Sequence, residues 1–275
     1  MDTRPVIVVH GGAWAIPDDL AERSKIGVKN AATCGFSILA NGGSSLQAVE
    51  AAVRILEDDT AFDAGHGAVL NADGDVELDA IIMDGKNLAV GAVSCIKNIA
   101  NPVMFARTVM EQTPHVMLTG TGANKFAEKI KFEKTPTREL VTENAVKEWE
   151  QYQKYKQSVT SLFNTERMHD TVGAVAIDSK GNTACATSTG GITNKMVGRV
   201  GDSPIIGETP ERAADQALEY MKNKVHGRGG LIVVSKSGEW AARFTTKRMA
   251  WASVENRILN YGLNPGEKFQ EKLDL

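Results

Sequence analysis

Apolar residues fall along this chain in short runs and helical stripes, separated by polar and glycine-containing breaks. Pro5-Val6-Ile7-Val8-Val9 is a continuous apolar run, as a strand buried on both faces requires, and it ends in His10-Gly11-Gly12. A helical stretch is predicted from about Asp18 to Ala40, stopped by Asn41-Gly42-Gly43. Ser44-Ser45-Leu46-Gln47 then offers a capping box for a second helix, whose Leu46, Val49, Val53 and Leu56 share the face that should pack on a sheet. Val76 to Asp84 and Leu88 to Ile96 read as a hairpin around Asp84-Gly85-Lys86-Asn87. Asn101-Pro102 supplies a cap and a first-turn proline to a helix with core residues Val103, Phe105, Ala106, Val109 and Met110. From about Thr135 to His169 the chain turns polar and reads as a loosely held, partly helical linker. Beyond it a strand runs from Thr171 to Asp178, turns at Asp178-Ser179-Lys180-Gly181, and returns as a second strand from Asn182 to Ser188.

With 275 residues and 42% hydrophobic content, the chain can bury a large core, and the element pattern predicts α/β layering. Net charge is only −3, from 31 basic and 34 acidic residues, which gives no nucleic-acid footprint. Cys34, Cys95 and Cys185 lie far apart, so neither a disulfide framework nor a zinc site is signalled. No apolar run approaches the roughly 18 residues that span a bilayer, and the N-terminus lacks a secretory pattern. The expectation is a soluble cytoplasmic protein without membrane partners.

The candidate chemistry centres on Thr171, the first residue of its strand. Most strand threonines are structural, because β-branched residues favour sheets. Cutting the Asp170-Thr171 bond would give Thr171 a free amine with a pKa of about 7.7–8.0, able to take the proton of its own hydroxyl. If the hairpin strands pair closely, Thr189 of Thr187-Ser188-Thr189-Gly190-Gly191 comes near and can orient that hydroxyl; otherwise these threonines merely end a strand at a glycine turn. Arg199 and Asp202 suit the carboxylate and ammonium of an amino-acid substrate, although such a pair in a loop is commonly a surface ion pair. His10-Gly11-Gly12 suits a tight turn or a functional loop, but the absence of a Gly-x-Ser-x-Gly elbow excludes a serine hydrolase of the α/β class. Gly120-Thr121-Gly122-Ala123-Asn124-Lys125 lacks the ending of a phosphate loop and reads as a helix start.

His10-Gly11-Gly12-Ala13, Phe62-Asp63-Ala64-Gly65, Met83-Asp84-Gly85, Thr171-Val172-Gly173-Ala174-Val175, Thr187-Ser188-Thr189-Gly190-Gly191 and Gly198-Arg199-Val200-Gly201-Asp202-Ser203 occur in one order. In this the chain resembles the plant-type asparaginases and isoaspartyl peptidases, which belong to the N-terminal-nucleophile hydrolases. The resemblance implies a single domain over 1–275 with a four-layer αββα sandwich, and self-cleavage at Asp170-Thr171 into chains 1–170 and 171–275. The two chains would form a heterodimer able to dimerise again. It further implies hydrolysis of L-asparagine and β-aspartyl dipeptides by Thr171 and Thr189, with Arg199 and Asp202 binding substrate and Gly11, Gly12 and Asp63 in support. No cofactor is expected beyond a structural sodium ion held by backbone carbonyls of Leu56, Glu57, Asp59, Phe62, Ala64 and His66; from the residues alone that stretch reads as a helix end and a solvated acidic turn.

The sequence departs from that pattern in two places. Gly207 is followed at once by Glu208-Thr209-Pro210-Glu211, the start of a helix to about Lys224. The family's intervening strand, Thr-Gly-x-Gly turn and covering helix, which carry its oxyanion-hole donors, are missing. Asp63 stands where relatives carry asparagine. A catalytically silent scaffold or binding subunit of the same family is therefore the alternative expectation. A threonine hydrolase of glycosylated asparagine fits less well, given the sparse cysteines and absent secretion signal.

Overall fold

The computed structural model of the chain describes residues 4–155, 171–200 and 227–274, with 215, 218, 219 and 223 between the last two stretches. β1 (Val6–Trp14) leads into helices α1 (Asp18–Ala40) and α2 (Ser45–Asp58), then the hairpin β2 (Leu78–Asp84) and β3 (Ala89–Ile96). Next come α3 (Pro102–Gln112), β4 (Met117–Thr119), α4 (Gly120–Lys129), α5 (Thr137–Leu140) and α6 (Glu143–Tyr155). The C-terminal part supplies the hairpin β5 (Val172–Ile177) and β6 (Thr183–Thr189), then β7 (Gly230–Val234), β8 (Trp240–Phe244), β9 (Arg248–Glu255), β10 (Ile258–Gly262) and β11 (Phe269–Lys272).

Nine strands form one sheet in the order β11-β10-β9-β1-β5-β6-β2-β3-β4, and β7 pairs with β8 in a second. Every pairing is antiparallel except β3 with β4. The unbroken apolar run in β1 has the expected cause, since Ile7 and Val9 join the helix-side core with Val49, Val53 and Leu56 of α2. Val6 and Val8, on the opposite face, pack with Ile177, Ile232, Val234 and Trp240. Burying alternate side chains in two different layers is what a continuous run of valine and isoleucine makes possible.

The layers follow as helices, large sheet, small sheet and again helix. Residues 215, 218, 219 and 223 are helical, and Asp215 reaches Arg243 on the outer face of β8 at 3.6 Å. This is the expected αββα arrangement, a large sheet flanked by helices, with a two-stranded second sheet among the described residues. None of the described helices is long and apolar enough to cross a membrane.

Three local expectations are corrected. Asn101 makes no side-chain cap for α3; its amide turns to Asp58 at 2.8 Å, and the Val103 N–H is taken instead by Glu57 Oε1 at 3.0 Å. Leu88 belongs to the turn rather than to β3, at φ 61° and largely exposed. The strand expected to end at Val9 starts at Val6 and runs on through the glycines to Trp14, with a register irregularity between His10 and Ala13. Within the polar stretch, α6 packs Tyr152 against Ile192, and Gln153 bonds Asn194 at 2.9 Å; residues 156–170 lie outside the described part.

Candidate active site

Strand register decides what meets at the open end of the β5–β6 hairpin. Directly opposed residues of antiparallel strands share a face. Val172 pairs with Ser188, so Thr171, one step outside β5 and half-buried, stands level with Thr189. Across the other edge of β5, Gly173 pairs with His10 of β1, and beyond β6 Asp79 of β2 pairs with Thr189. Thr171, Thr187, Thr189, His10 and Asp79 therefore lie on one face of the large sheet, the face that carries the small sheet.

Thr189 is 2% exposed, and its Oγ1 accepts the Gly191 N–H at 2.9 Å. A hydroxyl whose oxygen is fixed as acceptor still has its proton to donate. Gly191 adopts φ +86°, a conformation costly to any side chain, and the turn it forms sends Arg199 back over the site. Arg199 Nη1 lies 3.6 Å from the point where a Cβ of residue 191 would stand, with Lys195 Nζ at 3.2 Å. Asp79 is fully buried; burial pushes its carboxyl above the usual carboxylate range, and the nearby Lys195 and Arg199 cations pull it back. Burial also pushes the His10 imidazole down to about 4, so it is neutral at pH 7, and its Nε2 covers Gly173 at 2.6 Å from a virtual Cβ.

Asp63 sits beside this cluster. Its Oδ1 accepts the Val69 N–H at 3.0 Å, its carbonyl accepts the Gly190 N–H at 3.0 Å, and its carboxylate fills the space a Cβ on Gly190 would need. Gly11 gives way to the Phe62 ring, and Gly12 takes φ +99° to turn β1 past the site. Asp170 and Asp202, the remaining expected site residues, lie outside the described residues.

The carbonyl loop is built from the end of α2 and the turn around Gly65–Gly67. Asp59, Phe62 and Ala64 carbonyls each accept one amide, from Phe62, Ala64 and Gly67. Leu56 and Glu57 lie in the last turn of α2, where carbonyls have no helical partner. The Glu57 and Ala100 carbonyls crowd the place of a Gly65 Cβ, and His66 Nδ1 lies 3.8 Å from Asp58. Neutral carbonyl oxygens with lone pairs to spare suit a hard cation. The Glu57 carboxyl itself is pushed up to about 8 by burial. Among the described residues no cluster of three or more His, Cys, Asp or Glu side chains gathers to hold a metal.

Reading residue by residue gave His10 only as part of a turn or functional loop and missed Glu77, Asp79 and Lys195. A signal existed for two of them: Glu77 and Asp79 stand two apart among apolar residues at the start of the expected strand Val76 to Asp84, and so point the same way. The Gly120 to Lys125 stretch is the first turns of α4, as its missing phosphate-loop ending implied.

The α/β sandwich thus brings two threonines level at the open end of a hairpin, with the cations of Lys195 and Arg199 against the adjoining Gly191 turn. The chain belongs to the asparaginase family: the family model described as Asparaginase matches residues 3–209 and 207–262. It is 46% identical over 301 residues to the isoaspartyl peptidase/L-asparaginase of Xenopus laevis, covering 96% of both chains. With the protein of that name from Homo sapiens it shares 46% over 303 residues, covering 96% of this chain and 97% of the relative. A probable isoaspartyl peptidase/L-asparaginase of Drosophila pseudoobscura pseudoobscura is 33% identical over 322 residues, covering 98% of this chain and 99% of the relative. These alignments are longer than the 275 residues of the chain, so the relatives carry residues it lacks. The family match breaks between 207 and 209, where Gly207 meets Glu208-Thr209.

Proposed function

We propose that the protein is an isoaspartyl peptidase and L-asparaginase with Thr171 as nucleophile, slowed by the segment absent after Gly207. The reading rests on one observation: Thr171 stands at the open end of β5, level with a Thr189 whose hydroxyl oxygen is already fixed by Gly191. In the first step Thr171 Oγ attacks the Asp170 carbonyl, the peptide C–N bond breaks to free the Thr171 amine and leave an ester, and water hydrolyses that ester, restoring the Thr171 hydroxyl and releasing the Asp170 carboxylate. That amine then takes the Thr171 hydroxyl proton as Oγ attacks the side-chain amide of asparagine, or the isopeptide carbonyl of a β-aspartyl dipeptide. Ammonia or an amino acid leaves with the proton, and water releases aspartate from the acyl-threonine.

Thr189 donates its remaining proton toward Thr171. Arg199 takes the substrate carboxylate and Asp202 its ammonium, the residue types that charge complementarity demands. Gly11, Gly12 and Asp63 shape the wall beside the nucleophile. A sodium ion, if bound, is held by the carbonyls from Leu56 to His66 and braces the loop that carries Phe62 and Asp63. Fragments 1–170 and 171–275 stay associated as a heterodimer.

The break in the family match favours a second reading, a family member that keeps the fold without the reaction. Removing one oxyanion donor typically costs a factor on the order of 10² to 10³. Denaturing electrophoresis followed by ammonia release from L-asparagine separates the readings. The enzyme shows two fragments split before Thr171 and turns over at least about 100-fold slower than a full-length relative. A single intact band with no ammonia leaves only the scaffold.

A further inference from the structure

Lys195 is 1% exposed, among the largest fully buried side chains of the molecule. A buried ammonium is costly unless it is held. Its Nζ donates to the Glu77 carbonyl at 2.8 Å, and it lies within electrostatic reach of Asp79, whose Oδ1 is taken by the Cys95 N–H at 2.9 Å while Oδ2 has no hydrogen bond among the described residues. The backbone around it is clamped too. Ala72 N–H donates to the Lys195 carbonyl at 2.7 Å, Asn194 N–H to the Leu70 carbonyl at 2.7 Å, and Gly198 N–H to Glu77 Oε2 at 3.1 Å.

The side chain so anchored passes against Gly191: a Cβ there would lie 3.1 Å from Lys195 Cδ and 3.2 Å from Nζ. Gly191 in turn carries the N–H that fixes Thr189 Oγ1. One continuous path thus runs from Glu77, the residue before β2, through Lys195 to the turn that aims the second threonine.

We propose that Lys195 is a positioning residue: anchored by the Glu77 carbonyl next to β2, it presses the Gly191 turn into the one conformation that keeps the Gly191 N–H on Thr189 and leaves the Thr189 proton for Thr171. The inference rests on the threonine-pair reading for its catalytic meaning, but not for its geometry. Substituting Lys195→Met keeps an apolar stem and removes the charge, while depriving the buried Asp79 of one of its two nearby cations. The double variant Lys195→Met/Asp79→Asn removes both charges together and protects the fold.

The test follows amide hydrogen exchange of Gly191 in the full-length protein, with Ala174 in β5 as internal reference, and the rate at which the same samples split before Thr171. In the double variant, folded by thermal melt, Gly191 exchange rises at least tenfold relative to Ala174 and splitting slows at least tenfold. Gly191 exchange within twofold of wild type overturns the proposal, as does faster exchange with an unchanged splitting rate. If the wild type never splits, the nucleophile reading falls, and Gly191 exchange alone decides whether Lys195 sets the turn.

Discussion

At the scale of single residues, His10 carries the clearest consequence. Its folded pKa of about 4 lies below the ordinary 6.5, so the unfolded chain binds a proton that the folded one refuses. Stability from this group is complete above pH 6.5 and is lost as pH falls toward 4, a loss on the order of 3 kcal/mol. A His10→Gln variant should therefore lose less unfolding free energy than wild type between pH 7 and 4, by about that amount in paired urea titrations. Equal losses in the two proteins would show that His10 is protonated in the folded state. Asp63 makes a prediction about rate rather than stability. A carboxylate beside the Gly190 turn holds a proton on a neighbouring amine to higher pH, so Asp63→Asn should move the acidic limb of the activity profile downward. An unchanged profile would separate Asp63 from the nucleophile's amine. Neither position announces its environment in sequence: a histidine after an apolar run is equally compatible with a solvated turn, and only pairing with Gly173 buries it.

At the scale of elements, whatever depends on near neighbours was legible. The capping box at Ser44 forms in full, with the Gln47 N–H on Ser44 Oγ at 3.2 Å and Gln47 Oε1 on the Ser44 N–H at 3.0 Å. Ser44→Ala should cost about 1 kcal/mol in urea unfolding, with the strand core unaffected. The stripe Leu46, Val49, Val53 and Leu56 is buried as its spacing requires. The start of α3 was misread for the complementary reason. Glu57, 46 residues before Val103, accepts the Val103 N–H that Asn101 was expected to cap, and no local pattern records a cap supplied by another helix. Lys195 was likewise invisible, because a lysine among threonine, asparagine and methionine looks solvated until β2 closes over it.

At the scale of the whole molecule, strand order is what the sequence withheld. β1 lies between β9 and β5, and β2 lies beside β6, so the part before Thr171 and the part after it alternate across one sheet. Cutting the chain at Thr171 leaves every one of these pairings in place. Split protein should therefore elute from size exclusion at the mass of the uncut 29.6 kDa chain and separate only in denaturant. Elution as free fragments would show that interleaving does not hold them. The four-layer architecture came from family resemblance. Periodicity reached only as far as α/β layering, because alternation shows that a strand is buried but not which strand lies beside it.

The two margins of the large sheet are unlike each other. β4 spans only Met117–Thr119, and β11 is exposed throughout, with Glu271 tied to Lys29 at 2.8 Å and to the Tyr261 hydroxyl at 2.7 Å. A three-residue margin is too short to template another strand, and a margin set with Glu271 and Lys272 charges any newcomer the desolvation of those groups. The sheet is thereby kept finite, and crowding many copies together gives them little reason to zip into fibrils along it.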